Sequence, residues 1–206
     1  MLKIWGRISS INVRKVVWAA QELGLAFQRF DAGGAFGIVK EPGYLRMNPN
    51  AQVPVLDDDG FVLWESNVIV RYLCAKHAAG AFYPLDLQQR FKAEQWMDWQ
   101  QTSFNPAARN GFIQWIRTPP AQRQPGLIAQ SNAAAEPLLD LLDAHLASQP
   151  FMGGAHFGMA DIPVGCEMHR WFGLPQPRTP RPHLDAWYDR MLARPASAGV
   201  LDQPLA

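Results

Sequence analysis

Cysteine is nearly absent from this 206-residue sequence. Cys74 and Cys166 lie far apart, outside any Cys-x-x-Cys pair and without metal-ligand spacing. That excludes a disulfide scaffold, and because both thiols fall in apolar helical patterns they read as buried and inert. The five histidines show no ligand spacing either, so no metal is expected. An excess of charge of one sign is also missing. Nineteen Lys and Arg offset eighteen Asp and Glu, so no field over the whole surface recruits nucleic acid or an anionic membrane. The one basic stretch, Arg170 to Arg194, is interrupted by Asp185 and Asp189 and reads as a solvated face. No uncharged run approaches the ~18 residues of a membrane span. Met1 to Trp5 enters a strand pattern at once, with no apolar leader, so the expected location is the cytoplasm. No internal repeat occurs. What is abundant is packing material: 48% apolar residues and eight tryptophans, enough for one large domain or two small ones.

Residues 2–6 have a strand pattern that breaks at Gly6-Arg7. Ser10 then stands as N-cap of a helix to about Leu23, whose Val13, Val16, Val17, Ala20 and Leu23 form a buried stripe. Gly24 is the expected left-handed stop. Ala26 to Phe30 reads as a second strand, and an irregular, glycine-rich helical stretch follows. Val53 to Leu56 and Phe61 to Trp64 flank Asp57-Asp58-Asp59-Gly60, a hairpin signal. Ser66 opens a helix to about Lys76. The order βαβ, then ββα, predicts a thioredoxin-like α/β domain over residues 1–78. Small residues, glycine and proline mark a linker over 79–86. Beyond it strand patterns vanish, predicting an all-α helical bundle over 87–206. There, Pro106 is expected to kink or break the first helix, which resumes to Arg117. A further helix spans about Leu127 to Leu146 with Pro137 as a local defect, another starts at Gly158, and Pro182 opens the last.

The chemistry concentrates at two places in the first domain. Pro54 removes a backbone donor where a ladder N–H should be. A cis Val53-Pro54 bond would turn the Val53 N–H and C=O outward to pair an extended peptide; a trans proline on an edge strand is the alternative. Glu65 and Ser66 then place an acid and a hydroxyl at a helix entrance, where free N–H groups suit a carboxylate and the acid suits an ammonium. Ser66 as a mere cap is the plainer possibility.

These stretches resemble the cytosolic glutathione S-transferases, more narrowly the bacterial ones. The resemblance rests on Gly6-Arg7-Ile8-Ser9-Ser10-Ile11-Asn12-Val13, Tyr44-Leu45-Arg46-Met47-Asn48-Pro49-Asn50, Gln52-Val53-Pro54-Val55-Leu56 and Trp64-Glu65-Ser66-Asn67-Val68-Ile69-Val70-Arg71-Tyr72-Leu73. In the helical half, Phe157-Gly158-Met159-Ala160-Asp161-Ile162 resembles the family's capping box, with Gly158 where Ser or Thr is usual. The resemblance implies glutathione as cosubstrate, its thiolate attacking a small electrophile, in a homodimer with a role in detoxification. It implies a glutathione site of Lys40, Gln52, Val53, Pro54, Glu65 and Ser66. Alignment on Val13-Arg14 puts Arg7 where the activating hydroxyl or cysteine normally stands. Ser10 is therefore taken as first thiol donor, Asn12 as second and Arg7 as an electrostatic aid. Against these stand Ser10 as cap, Asn12 as a first-turn polar residue and Arg7 as a surface charge. The electrophile pocket would draw on Phe104, Arg109, Phe112, Ile113 and Trp115, although the aromatics equally suit a core. A cation at Arg109 suits an anionic or carbonyl-bearing substrate. A glutathione-dependent disulfide reductase or peroxidase, and a non-catalytic binding module, are the alternatives; no cysteine follows the first strand to favour the reductase.

Overall fold

Alternation of Leu2 and Ile4 with Lys3 and Trp5 gives β1 (Leu2–Trp5) one face for the core and one for solvent. A computed structural model describes all 206 residues. α1 (Ile11–Glu22) crosses from β1 to β2 (Phe27–Phe30), which pairs with β1 in parallel. The short α2 (Pro42–Met47) follows, then β3 (Val55–Asp58) and β4 (Phe61–Trp64), both antiparallel to their neighbours. The sheet order is β2-β1-β3-β4. Asp58 pairs directly with Phe61, so the turn is only Asp59-Gly60, and both residues have positive φ (51° and 95°). That is the twist a two-residue hairpin prefers. The third strand begins at Val55 rather than Val53, because Val53 and Pro54 stay outside the ladder.

α3 (Ser66–His77) closes the sheet half and packs beside α1. The remainder is helical: α4 (Leu87–Trp99), α5 (Asn105–Phe112), α6 (Pro125–Leu146), α7 (Asp161–Phe172) and α8 (Pro182–Leu192). Pro106 does not break the helix. Gln100–Phe104 widens into a π turn between α4 and α5, and a second π turn, Ile113–Arg117, ends the run. The wider turn relieves the clash of the Pro106 ring with the preceding turn. It also lets the successive side chains Gln100 and Gln101 both accept from Lys15 Nζ, at 2.8 and 3.1 Å. α6 runs through Pro137 without interruption, and α7 starts at Asp161, three residues after Gly158. No helix is long and apolar enough to cross a membrane.

The two halves share one hydrophobic core, with α1 between α3 and α7. Two glycines make the close approaches possible. A Cβ at Gly165 on α7 would stand 2.7 Å from the Trp18 ring of α1, and one at Gly6 would stand 2.3 Å from Val13 Cγ2. Gly6 also has φ +149°. Gly6→Ala is expected to lower stability by about 1–3 kcal/mol, as overpacking does. Thermal denaturation checks this; an unchanged midpoint would mean that α1 yields freely.

The basic C-terminal stretch is not the solvated face its composition suggested. Arg181 is 6% exposed and pairs with Glu136 and Asp140 at 2.7 and 2.8 Å, while Arg194 pairs with Glu22 at 2.6 Å. These arginines find acids on α6 and α1 that are distant in sequence.

Candidate active site

Strand register decides which residues meet at one edge of the sheet. Trp5 pairs with Val55, and Val55 with Trp64. The residues just beyond them, Gly6-Arg7, Val53-Pro54 and Glu65-Ser66, therefore gather together where β1 and β4 end and β3 begins. The Val53-Pro54 peptide is cis. Neither the N–H nor the C=O of Val53 is hydrogen-bonded within the chain. The Gln52 carbonyl, by contrast, accepts from Tyr44 Oη at 2.7 Å and Asn48 Nδ2 at 2.9 Å, which fixes the loop from behind. The Gln52 side chain remains exposed, as does Lys40.

Two helix entrances face this edge. Ser10 occupies the N-cap position of α1, but its hydroxyl makes no capping bond. Cap duty therefore does not account for that hydroxyl. Ser66, 4% exposed at the first position of α3, donates its hydroxyl to Asn12 Oδ1 at 3.2 Å. This contact ties α1 to α3 and leaves the Asn12 amide Nδ2 as an uncommitted donor. Glu65 adopts φ +72°, ψ 107°, an uncommon geometry for a residue with a side chain, and its exposed carboxylate has no ion pair. Arg7 lies against the Gly33-Gly34 loop. A Cβ at Gly33 would stand 2.9 Å from Arg7 Nη1 and 3.3 Å from Val53 Cγ1, so the bare glycine makes room for the guanidinium and for the Val53 side chain.

The candidates for the second pocket separate. Phe104 is fully buried between Trp99 and Trp171, with ring centroids 5.8 Å from each, and belongs to the core rather than to a pocket. Trp115 is held structurally: its indole donates to Gln176 Oε1 at 2.9 Å and Arg123 stacks on it at 5.1 Å. Ile113 packs against the core. Phe112 stays near the first half, lining a small cavity with Ser9 and Ile11 from the α1 entrance and with Arg170 of α7. Arg117 and Arg170 both lie over the Phe112 ring, at 4.9 and 4.4 Å. Arg109 is exposed and makes no ion pair. Sequence reading missed Arg117 and Arg170, since only the tertiary fold brings them to one ring. It also missed the buried chain in which Lys15 donates to Gln100, and Gln100 Nε2 donates to Glu167 Oε2 at 2.5 Å. Burial pulls Lys15 down to about 8 and pushes both Cys74 and Cys166 up to about 12. Neither thiol is therefore poised as a nucleophile. A cavity of about 960 Å³ lies elsewhere, between the segment after α3, the side of α4 from Gln89 to Trp96, the end of α6 and the loop before α7.

A mixed four-stranded sheet whose cis-proline edge faces two helix entrances, followed by an all-helical half, is the architecture of the glutathione transferases. Comparison with known proteins agrees. The model of the "Glutathione S-transferase, N-terminal domain" matches residues 1–75, and that of the "Glutathione S-transferase, C-terminal domain" matches residues 125–190. Glutathione S-transferase GstB of Escherichia coli K12 is 38% identical over the whole of both chains. Glutathione S-transferase 3 of Zea mays is 31% identical over 95% of this chain and 90% of its own. The theta class glutathione S-transferase of the citrus canker pathogen Xanthomonas axonopodis pv. citri, solved with glutathione bound, superimposes with TM-score 0.96 at 43% identity, covering 100% of this chain and 99% of that one. The chain belongs to the glutathione S-transferase family.

Proposed function

We propose that this chain is a glutathione transferase that conjugates the glutathione thiolate to a small electrophile. The observation that carries the reading is the single edge where the unpaired Val53 peptide, the Glu65-Ser66 entrance of α3 and the unengaged Ser10 hydroxyl converge. In this reading the cysteinyl backbone of glutathione pairs with Val53 beside Pro54. Its γ-glutamyl carboxylate meets the Ser66 N–H, and the Ser66 hydroxyl once it turns from Asn12 Oδ1, while Glu65 faces the ammonium, and Lys40 and Gln52 attend the glycyl end. The sulfur then arrives near the first turn of α1, within reach of Ser10, Asn12 and Arg7.

Energy supports one well-placed donor as sufficient. A free thiol titrates near ~8.5, and lowering that by two units needs about 2.7 kcal/mol. A hydrogen bond to a charged group supplies about 1.5–3 kcal/mol, and a helix N-terminus about 0.3–1 kcal/mol more. The thiol proton leaves to solvent, the sulfur forms a bond to carbon, and the leaving group departs with its electron pair. Placing the electrophile beside the sulfur supplies much of the remaining rate.

The test is titration of thiolate absorbance in the glutathione complex. Ser10→Ala is expected to raise the bound thiol by about 1–2 units, and Asn12→Ala by less, on the scale of one charged hydrogen bond. An unchanged titration in Ser10→Ala would remove Ser10 from this role. If calorimetry finds no glutathione uptake at millimolar ligand, the whole reading falls.

Three further assignments accompany it. The first domain is taken to end at residue 78 and the second to begin at residue 87, the first residue of α4, with 79–86 as the linker. A homodimer is supported by exposed apolar side chains on both halves, Phe61, Trp64 and Val68 on one and Leu85, Leu87 and Phe91 on the other. A cytoplasmic location fits two unpaired, buried cysteines.

A further inference from the structure

Arg14 is 2% exposed on α1, yet every hydrogen bond of its side chain goes to a backbone carbonyl. Nε donates to Ile8 at 3.0 Å, Nη1 to Val200 and Gln203 at 3.0 and 3.1 Å, and Nη2 to Pro204 at 2.7 Å. A buried guanidinium answered by neutral carbonyls is a poor device for stability alone. An apolar side chain of similar volume serves as well or better. What the rigid fork supplies is geometry, because its donors hold two segments, far apart in sequence, at one fixed spacing.

The first segment is the loop from β1 to α1. The Arg7 N–H is held by the Ala32 carbonyl at 3.1 Å, and the Ser10 N–H turns back to the Arg7 carbonyl at 3.1 Å. Between them, Ile8 and Ser9 make no hydrogen bond except the one from Arg14 to the Ile8 carbonyl. The second segment, Val200 to Pro204, is anchored to the helical half. Val200 and Leu201 are buried, and the Gln203 carbonyl also accepts from His169 Nε2 of α7 at 2.9 Å. His169 Nδ1 in turn meets the Tyr188 hydroxyl of α8 at 3.1 Å. Ser9 and Ile11 share with Leu205 the lining of a space of only about 10 Å³, room for about one water. The loop that carries Ser10 is thus set from the helical half through one side chain.

We propose that Arg14 is a positioning residue of the thiol site: by gripping Ile8 on one side and Val200 to Pro204 on the other, it fixes the loop that aims the Ser10 hydroxyl at the sulfur. This rests on the glutathione transferase reading and adds to it a residue that acts only through Ser10. The helical half then does more than wall the electrophile. It sets the direction of the donor that ionises the thiol.

Thiolate absorbance is titrated in the glutathione complexes of the parent, Arg14→Lys, Ser10→Ala and the double variant. Lysine keeps the charge and loses the fork. Arg14→Lys is expected to raise the bound thiol by about 0.5–1 unit, because a hydrogen bond weakens steeply once its donor is misaimed. Glutathione affinity by calorimetry should stay within about twofold, since Val53, Glu65 and Ser66 belong to other elements. In the Ser10→Ala background, Arg14→Lys should add no further shift, the mark of a residue that works through another. A full second shift there, or an unmoved titration in Arg14→Lys alone, would overturn the proposal. A variant lacking Gln203–Ala206 keeps Arg14 and removes the acceptors at Gln203 and Pro204, so its titration should move the same way by less. Should Arg14→Lys not fold, that shortened variant decides, and an unchanged titration in it overturns the inference. If Ser10→Ala leaves the titration unmoved while glutathione still binds, the positioned group has no role and the inference fails. Absence of glutathione binding to the parent would instead sink the function on which it rests.

Discussion

Asp161→Ala is expected to lower the melting temperature by about 6–20 °C. The carboxylate is fully buried at the first residue of α7 and accepts three N–H groups, from the Met152 backbone, the Gly158 backbone and the Trp187 indole, each at 2.9 Å. Removing it leaves those donors without a partner. Each buried orphan costs about 1–3 kcal/mol, and the set, which is not additive, about 3–5 kcal/mol. In a chain of this size each kcal/mol moves the midpoint by about 2–4 °C. Burial pushes the group up to about 6, so at pH 7.5 the side chain is an acceptor-only carboxylate. Asp161→Asn, with one acceptor oxygen instead of two, should lose roughly half as much, because its amide NH₂ would face the N–H of Gly158. Calorimetric melts of both variants at pH 7.5 check this. A loss below about 3 °C for the alanine variant would show that water takes over the three donors.

Most of the fold is legible in the sequence because each strand and helix carries its own local signal. The stripe of Val13, Val16, Val17 and Ala20 predicts α1, and Asp59-Gly60 predicts the hairpin, since only positive φ at both residues twists the strands correctly. The π turns leave no such mark. Pro106 argues for a break, whereas the wider turn accommodates its ring and lets Gln100 and Gln101 both accept from buried Lys15, a contact with a distant helix. Asp161 is legible as a helix-start acid through its spacing from Gly158, but its bonds to Met152 and Trp187 depend on loops and on α8.

The candidate site divides in the same way. Pro54, Glu65 and Ser66 stand out because each breaks a local rule: a proline at a strand start, and an acid and hydroxyl at a helix entrance. Phe104 and Phe112 look alike in sequence, yet one turns inward between Trp99 and Trp171 while the other carries two guanidiniums. Arg117 and Arg170 have no shared spacing, and Arg170 sits in a stretch whose composition suggested plain solvent. Chemistry assembled from distant side chains is not encoded in any window of the chain.

Glu65 offers the sharpest separation of folding from function. Its φ of +72° suits glycine, and holding a side chain there costs about 1–3 kcal/mol. Its backbone carbonyl accepts from the Ile69 N–H at 2.9 Å, a bond any residue could make. No hydrogen bond or ion pair of the side chain repays that cost, for the carboxylate is exposed. A ligand ammonium would. Glu65→Gly should therefore leave the melting temperature unchanged or slightly raised, the released strain being offset by about 0.4–1 kcal/mol of added freedom in the unfolded chain. Glu65→Ala keeps the backbone strain and removes only the charge. Both variants are expected to weaken glutathione binding by about 10–150-fold, the equivalent of one charged hydrogen bond at about 1.5–3 kcal/mol. Ser66→Ala should weaken it too, and should also free the Asn12 amide that the Ser66 hydroxyl now orients. Calorimetric titration with glutathione beside thermal melts reads affinity and stability on the same samples. If Glu65→Gly melts lower and binds glutathione as the parent does, the uncommon backbone serves the fold and the acid has no part in holding the tripeptide.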